Sequence, residues 1–217
     1  MKRIEYKKLF PYTISEDIAN SVSHGIGALV AVILNVLLIY KASQTQDATT
    51  VVSFALYGYS VVAMFLMSCL YHGIRHYIAR DVFKRLDHSF IFILILATYC
   101  PIVFVGIKSP LAYGVFIGLS IVTVAGIVFK AFFAGRFKVL STIIFVIMGW
   151  AALLLIPQMI NTLSYDFLKW IVIGGVFYTV GAILYAVGKF KYHHFIWHLF
   201  VMGGALAHYY AILMYLL

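Results

Sequence analysis

Charge is scarce in this chain: 11% of its 217 residues are charged, 7 are Asp or Glu, and 64% are apolar. So little charge on so much apolar surface excludes a soluble globular domain. The 2 cysteines offer no disulfide framework. Cys69 falls near the end of one apolar run and Cys100 deep in the next, so their depths differ by roughly 15–20 Å, too far for a bridge. No repeat and no low-complexity segment interrupts the sequence. The last apolar run holds no lysine, which excludes a retinal Schiff base there. Few charges within apolar runs, and no paired interrupted helices at their middle, argue against an ion-coupled transporter.

What remains is hydrocarbon-compatible length. About 30 Å of bilayer core needs roughly 20 apolar residues per helix. Seven such runs lie at 22–42, 51–73, 87–107, 111–131, 138–157, 168–188 and 194–216. The expected fold is an all-α, polytopic seven-transmembrane bundle, with 1–217 as a single domain and 1–21 as an amphipathic N-terminal segment. The first run is followed by six more, so it reads as a retained span rather than a cleaved signal peptide.

A net charge of +9 would point to nucleic acid in a soluble protein, but here it marks alternate loops. Lys2, Arg3, Lys7 and Lys8 precede the first span, and Arg75, Arg80, Lys84 and Arg85 follow the second. Lys130, Arg136 and Lys138 follow the fourth, and Lys189 and Lys191 the sixth; only Lys41, Lys108 and Lys169 oppose them. The positive-inside rule therefore expects a cytoplasmic N-terminus and an outside C-terminus, with no nucleic-acid partner. Gly-rich stretches such as "VIGGVFYTVGAILYAVG" mark close helix packing.

Polar residues gather at the cytoplasmic ends. His72 ends the second span, with Ser68 one turn deeper on the same face. Asp87 and His88 open the third, and His194 and His198 open the seventh with the i, i+4 spacing by which one helix supplies two zinc ligands. His72 would be the third ligand, leaving a fourth position for water, as in catalytic zinc sites. His76, four residues beyond His72, competes for that place. His193 is rotated about 100° from His194 and should face the interface. Asp87 is open to three readings: a metal ligand, a carboxylate outside the ligand shell serving as base, or a helix-start acid paired with Arg85. Ser68 either joins the site or back-bonds within its helix. Glu16, Asn20 and His24 form an i, i+4 stripe entering from the same side, read as support for the ligands, with part of it a helix-start signal. His208, three turns beyond His198, reads as a hydrogen-bonded core histidine.

These motifs resemble the hemolysin III family, the bacterial branch of the progestin and adipoQ receptor family. E-x3-N-x3-H stands as Glu16, Asn20 and His24; S-x3-H as Ser68 and His72, followed by Asp87; H-x3-H as His194 and His198. The resemblance spans all seven runs. It implies zinc on His72, His194 and His198, with Asp87 and Ser68 beside the water such a site activates. Relatives in the wider superfamily include alkaline ceramidases, so it also implies hydrolysis of a lipid amide or ester, membrane-fluidity homeostasis and a bacterial plasma (inner) membrane location. A haemolytic role fits poorly, because a chain insoluble from its first span is not a released toxin.

The expectation is thus a zinc-dependent lipid hydrolase at the cytoplasmic leaflet, with membrane lipids as substrate or ligand. The alternative is a seven-helix sensor or receptor with structural zinc and no turnover.

Overall fold

The computed structural model describes residues 9–216. The basic residues Lys2, Arg3, Lys7 and Lys8, the start of the N-terminal segment and Leu217 lie outside the described residues. The helices are α1 (Ile14–Ser43), α2 (Ala48–Gly73), α3 (Tyr77–Pro101), α4 (Pro110–Phe133), α5 (Lys138–Trp150), α6 (Ile156–Thr162), α7 (Tyr165–Val187) and α8 (His193–Tyr215). A π-helical turn, Ile102–Ile107, prolongs α3, and a 3-10 turn, Ala151–Leu155, joins α5 to α6. The described residues thereby form seven helical spans long and apolar enough to cross a membrane.

Two spans begin well before their apolar runs. Helix α1 starts at Ile14 because Thr13 closes a capping box: its hydroxyl accepts from the Glu16 N–H, and the Glu16 carboxylate accepts from the Thr13 N–H at 3.0 Å. Its polar residues Asp17, Asn20, Ser23 and His24 are buried, while Ile14, Ile18, Val22, Leu29 and Ile33 face outward. The helix is apolar toward lipid and polar toward the bundle, the inverse of a soluble amphipathic helix. Helix α3 starts at Tyr77, capped by His76 and ten residues before its expected apolar run, because Arg80 and Lys84 also turn inward.

The sequence shows no paired interruption at mid-span, yet the third and fifth spans are both interrupted. Pro101 precedes the π turn, and Pro157 stands in the first turn of α6, where its missing N–H costs nothing. The freed backbone groups meet one side chain. The Tyr99 hydroxyl donates to the carbonyls of Met148 (2.8 Å) and Gly149 (2.9 Å) and accepts from the Ala152 N–H at 2.9 Å. The π turn closes the far end of its span, whereas the 3-10 turn falls just past the middle of Lys138–Thr162.

Helices α7 and α8 pack closely through glycine, since a Cβ at Gly204 would come within 2.8 Å of the Tyr178 ring. The first three spans and α8 are the best buried, whereas the fourth to sixth leave a cavity between themselves and the rest. Cys69 and Cys100 are free thiols.

Candidate metal centre

Two helices from distant parts of the chain bring three imidazoles to one point. His72 comes from the last turn of α2, and His194 and His198 from the first two turns of α8. All three are buried, and one ligand atom from each lies within 4.8 Å of the others. Among the described residues this is the cluster with metal-binding geometry.

Outer partners decide which ring nitrogens face inward. Nδ1 of His72 lies 3.0 Å from Oδ1 of Asp17. A carboxylate only accepts, so Nδ1 carries the proton and Nε2 presents its lone pair. Nδ1 of His198 lies 3.2 Å from the Asn20 carbonyl, which likewise only accepts, and 3.1 Å from the Ser23 hydroxyl. Its Nε2 is freed in the same way. Nε2 of His72 stands 3.2 Å from Nε2 of His194. Nitrogens on a tetrahedral zinc at about 2.0–2.1 Å would be separated by about 3.3–3.4 Å, so this spacing suits zinc. The donor set therefore fits the metal in chemistry, and the His72–His194 pair fits it in spacing.

Asp17 is itself held by a buried arginine. Arg80, fully buried, donates from Nη2 to both carboxylate oxygens at 2.8 Å. Its Nη1 donates to the carbonyls of His72 and Ile74, and its Nε to that of Leu9. One guanidinium thus closes the end of α2 and fixes the carboxylate that orients His72. Arg75 adds a half-exposed contact to Asp17 at 3.3 Å.

The stripe in α1 divides in an unexpected way. Asn20 lies against His72 and His198, and His24 stacks on His198 with ring centroids 3.6 Å apart and planes within 7°. Glu16 is turned away from the cluster. Its carboxylate accepts from the Tyr192 N–H at 3.0 Å and so ties the start of α1 to the start of α8. The acid that reaches the ligands is its neighbour Asp17. Spacing by four selects Glu16, but i, i+3, i+7 from Asp17 through Asn20 to His24 also lies on one helix face, and burial selects that one. The N-terminal approach also contributes Tyr12, whose ring stacks on His194 at 4.9 Å. Burial pushes its phenol well above the ordinary value, so it packs as a neutral ring.

Asp87 lies outside the three-histidine cluster. It is buried, with the Ser68 side chain beside it, and lines a cavity of about 270 Å³ together with Ser68, His24, His194 and His198. It does not pair with Arg85, which instead binds Asp81 at 2.8 Å. His76 caps α3 through the Ala79 N–H and takes no part in the cluster. His193 is half-buried and meets the Phe190 carbonyl, His88 meets the Lys84 carbonyl, and His208 meets the Ile171 carbonyl at 3.0 Å.

Seven membrane-length helices closed at one end around three convergent imidazoles define a polytopic membrane protein with a buried candidate metal centre. The chain matches the haemolysin-III related family model over residues 12–209, and it belongs to that family. It is 37% identical over 204 residues to the Hemolysin-3 homolog of Bacillus subtilis (strain 168), covering 94% of this chain and 96% of that one. Hemolysin-3 of Bacillus cereus is also 37% identical, over 94% of this chain and 93% of its own. The monocyte to macrophage differentiation factor of Homo sapiens is 28% identical over 212 residues, with 94% and 86% covered.

Proposed function

We propose that this protein is a zinc-dependent hydrolase of a lipid amide or ester, working from the cytoplasmic leaflet of a bacterial plasma membrane and contributing to membrane homeostasis. The observation that carries the reading is that two members of the three-histidine cluster, His194 and His198, share the wall of one largely apolar cavity with the buried Asp87 carboxylate and the Ser68 hydroxyl. His72 and His198 would hold the metal through the nitrogens that Asp17 and Asn20 leave free, and His194 through the Nε2 that faces His72. Zinc, when bound, polarises a carbonyl and makes water nucleophilic near neutral pH.

The protein's own groups supply the rest. Asp87, outside the cluster but on the same cavity wall, takes the proton from the attacking water and can return it to the leaving group. Ser68 lies beside Asp87, and its single O–H either orients that carboxylate or donates to the developing oxyanion, one at a time. The wall follows α8 from His194 to His208, about 21 Å at 1.5 Å per residue. That exceeds half of a bilayer's ~30 Å core, so an acyl chain can lie along it with water excluded.

The test measures lipids and metal together. Cells lacking and overproducing the protein should differ in one lipid class and in the matching free fatty acid, and the purified protein should carry about one zinc. Zinc bound with no lipid class altered would replace this reading with that of a sensor whose metal is structural.

A further inference from the structure

A second polar feature faces the same cavity, and it is cationic. Lys130, in the last turn of α4, is 1% exposed. Its Nζ donates to the Ser141 hydroxyl at 2.5 Å, and that hydroxyl in turn donates to the Phe137 carbonyl at 3.0 Å. The Phe129 ring lies 5.6 Å from the Lys130 Nζ. No carboxylate among the described residues pairs with it, since Asp17 binds Arg80, Asp81 binds Arg85 and Asp87 turns to Ser68. A buried ammonium with one neutral acceptor is costly, and an anion entering the cavity would offset that cost.

Lys138, at the start of α5, brings a second cation to the cavity wall, and Arg136 borders it from the connecting loop. The Lys138 Nζ stands 4.0 Å over the Tyr185 ring, whose centroid is 5.4 Å from that of His194. The basic groups therefore adjoin the histidine cluster at one end of a cavity that is otherwise apolar. A cationic end joined to an apolar length suits an amphiphile with an anionic head.

We propose that Lys130 and Lys138 form an anion subsite that takes the phosphate of a phospholipid headgroup, its acyl chain lying in the cavity. Because Tyr185 separates Lys138 from His194 by the width of one ring, the bonds joining headgroup to acyl chain lie beside the histidines. Neutral acyl lipids lack the group the two lysines receive. Calling this lipid a substrate rests on the hydrolase reading; its binding does not.

The experiment uses the full-length protein purified in an uncharged detergent. Binding of phosphatidylglycerol, of diacylglycerol with the same chains, and of inorganic phosphate is measured by native mass spectrometry and by thermal shift. Phosphatidylglycerol should bind roughly 10- to 100-fold more tightly than diacylglycerol, the ratio expected from one charge-assisted hydrogen bond. Lys130→Gln and Lys138→Gln should each remove that preference while zinc content stays unchanged, which shows the bundle intact. If Lys130→Gln does not fold, Lys138→Gln alone decides. Equal binding of the two lipids to the unsubstituted protein, or a preference that survives Lys138→Gln, overturns the subsite. Inorganic phosphate binding as tightly as phosphatidylglycerol overturns its assignment to a lipid. The same titration on Asp87→Asn separates the two ideas. A phospholipid preference without turnover by the unsubstituted protein keeps the subsite and removes the hydrolase, and turnover without preference does the reverse.

Discussion

Oδ1 of Asp17 lies 3.0 Å from Nδ1 of His72, and the same carboxylate is gripped by Arg80 through two 2.8 Å contacts. The ion pair is buried on both sides, with 3% and 0% side-chain exposure. Its geometry turns a helix-end histidine into one with a defined tautomer, which is the condition for presenting Nε2 to a metal.

Asp17→Asn should therefore lower zinc affinity roughly 10- to 100-fold, as losses of such outer partners do. Glu16→Gln, whose side chain meets the Tyr192 N–H, should leave it within a few-fold. Competition against a chelator of known affinity reads both. An equal effect of the two substitutions would show that Asp17 acts through the fold alone. Arg80→Met should cost stability, about 3–5 kcal/mol, because it leaves the buried Asp17 carboxylate with only the half-exposed Arg75 as a cationic partner.

Metal content should follow the geometry of the cluster. His72→Ala, His194→Ala or His198→Ala should each strip zinc, whereas His76→Ala, His193→Ala and His208→Ala should retain it, measured by elemental analysis of purified protein. Retention in His72→Ala together with loss in His76→Ala would transfer the third ligand to the loop.

For Asp87 the informative change is Asp87→Asn, which keeps size and hydrogen bonding while removing the basic oxygen. Zinc should stay bound, and hydrolysis should fall by roughly 10²–10⁴-fold, the usual loss for a general base. Zinc content, thermal stability and lipid turnover are read on one preparation. Zinc lost with the fold intact would make Asp87 a ligand, and zinc kept with turnover unchanged would remove it from the mechanism.

Orientation is tested with single cysteines in a background lacking Cys69 and Cys100. Exposed His76 and Lys189 lie on the loops expected to be cytoplasmic, and exposed Gln44 lies on the opposite side. Cysteine at His76 or Lys189 should resist an impermeant thiol reagent in intact cells, and cysteine at Gln44 should react. The reverse pattern would place the histidine cluster at the outer leaflet.

Much of the architecture is legible in the chain because hydrocarbon thickness is a hard constraint. A run near 20 apolar residues means one span, and all seven runs appear as helical spans. The i, i+4 spacing of His194 and His198 is equally legible, since helical geometry places both on one face. The starts of α1 and α3 are not, because hydropathy cannot tell a polar residue that ends a span from one that turns inward and finds a partner. Asp17 and Arg80 are such residues: by composition they read as loop or interface, and only their pairing makes them interior.

The sequence by itself determined the number of spans, the alternation of basic loops and the set of histidines available to one leaflet. All of these follow from local composition and from 1.5 Å per residue. Tertiary structure decided which acid serves the cluster, since Asp17 and Glu16 are adjacent and differ only in what packs against them: Arg80 and His72 on one, the backbone of Tyr192 on the other. It also decided that Lys130 and Lys138 share a cavity with Asp87, because that depends on how far apart the fourth, fifth and sixth spans stand. Spacing along a helix carries no information about the distance between helices. That distance is set by side chains meeting from segments more than a hundred residues apart, as His72 meets His194.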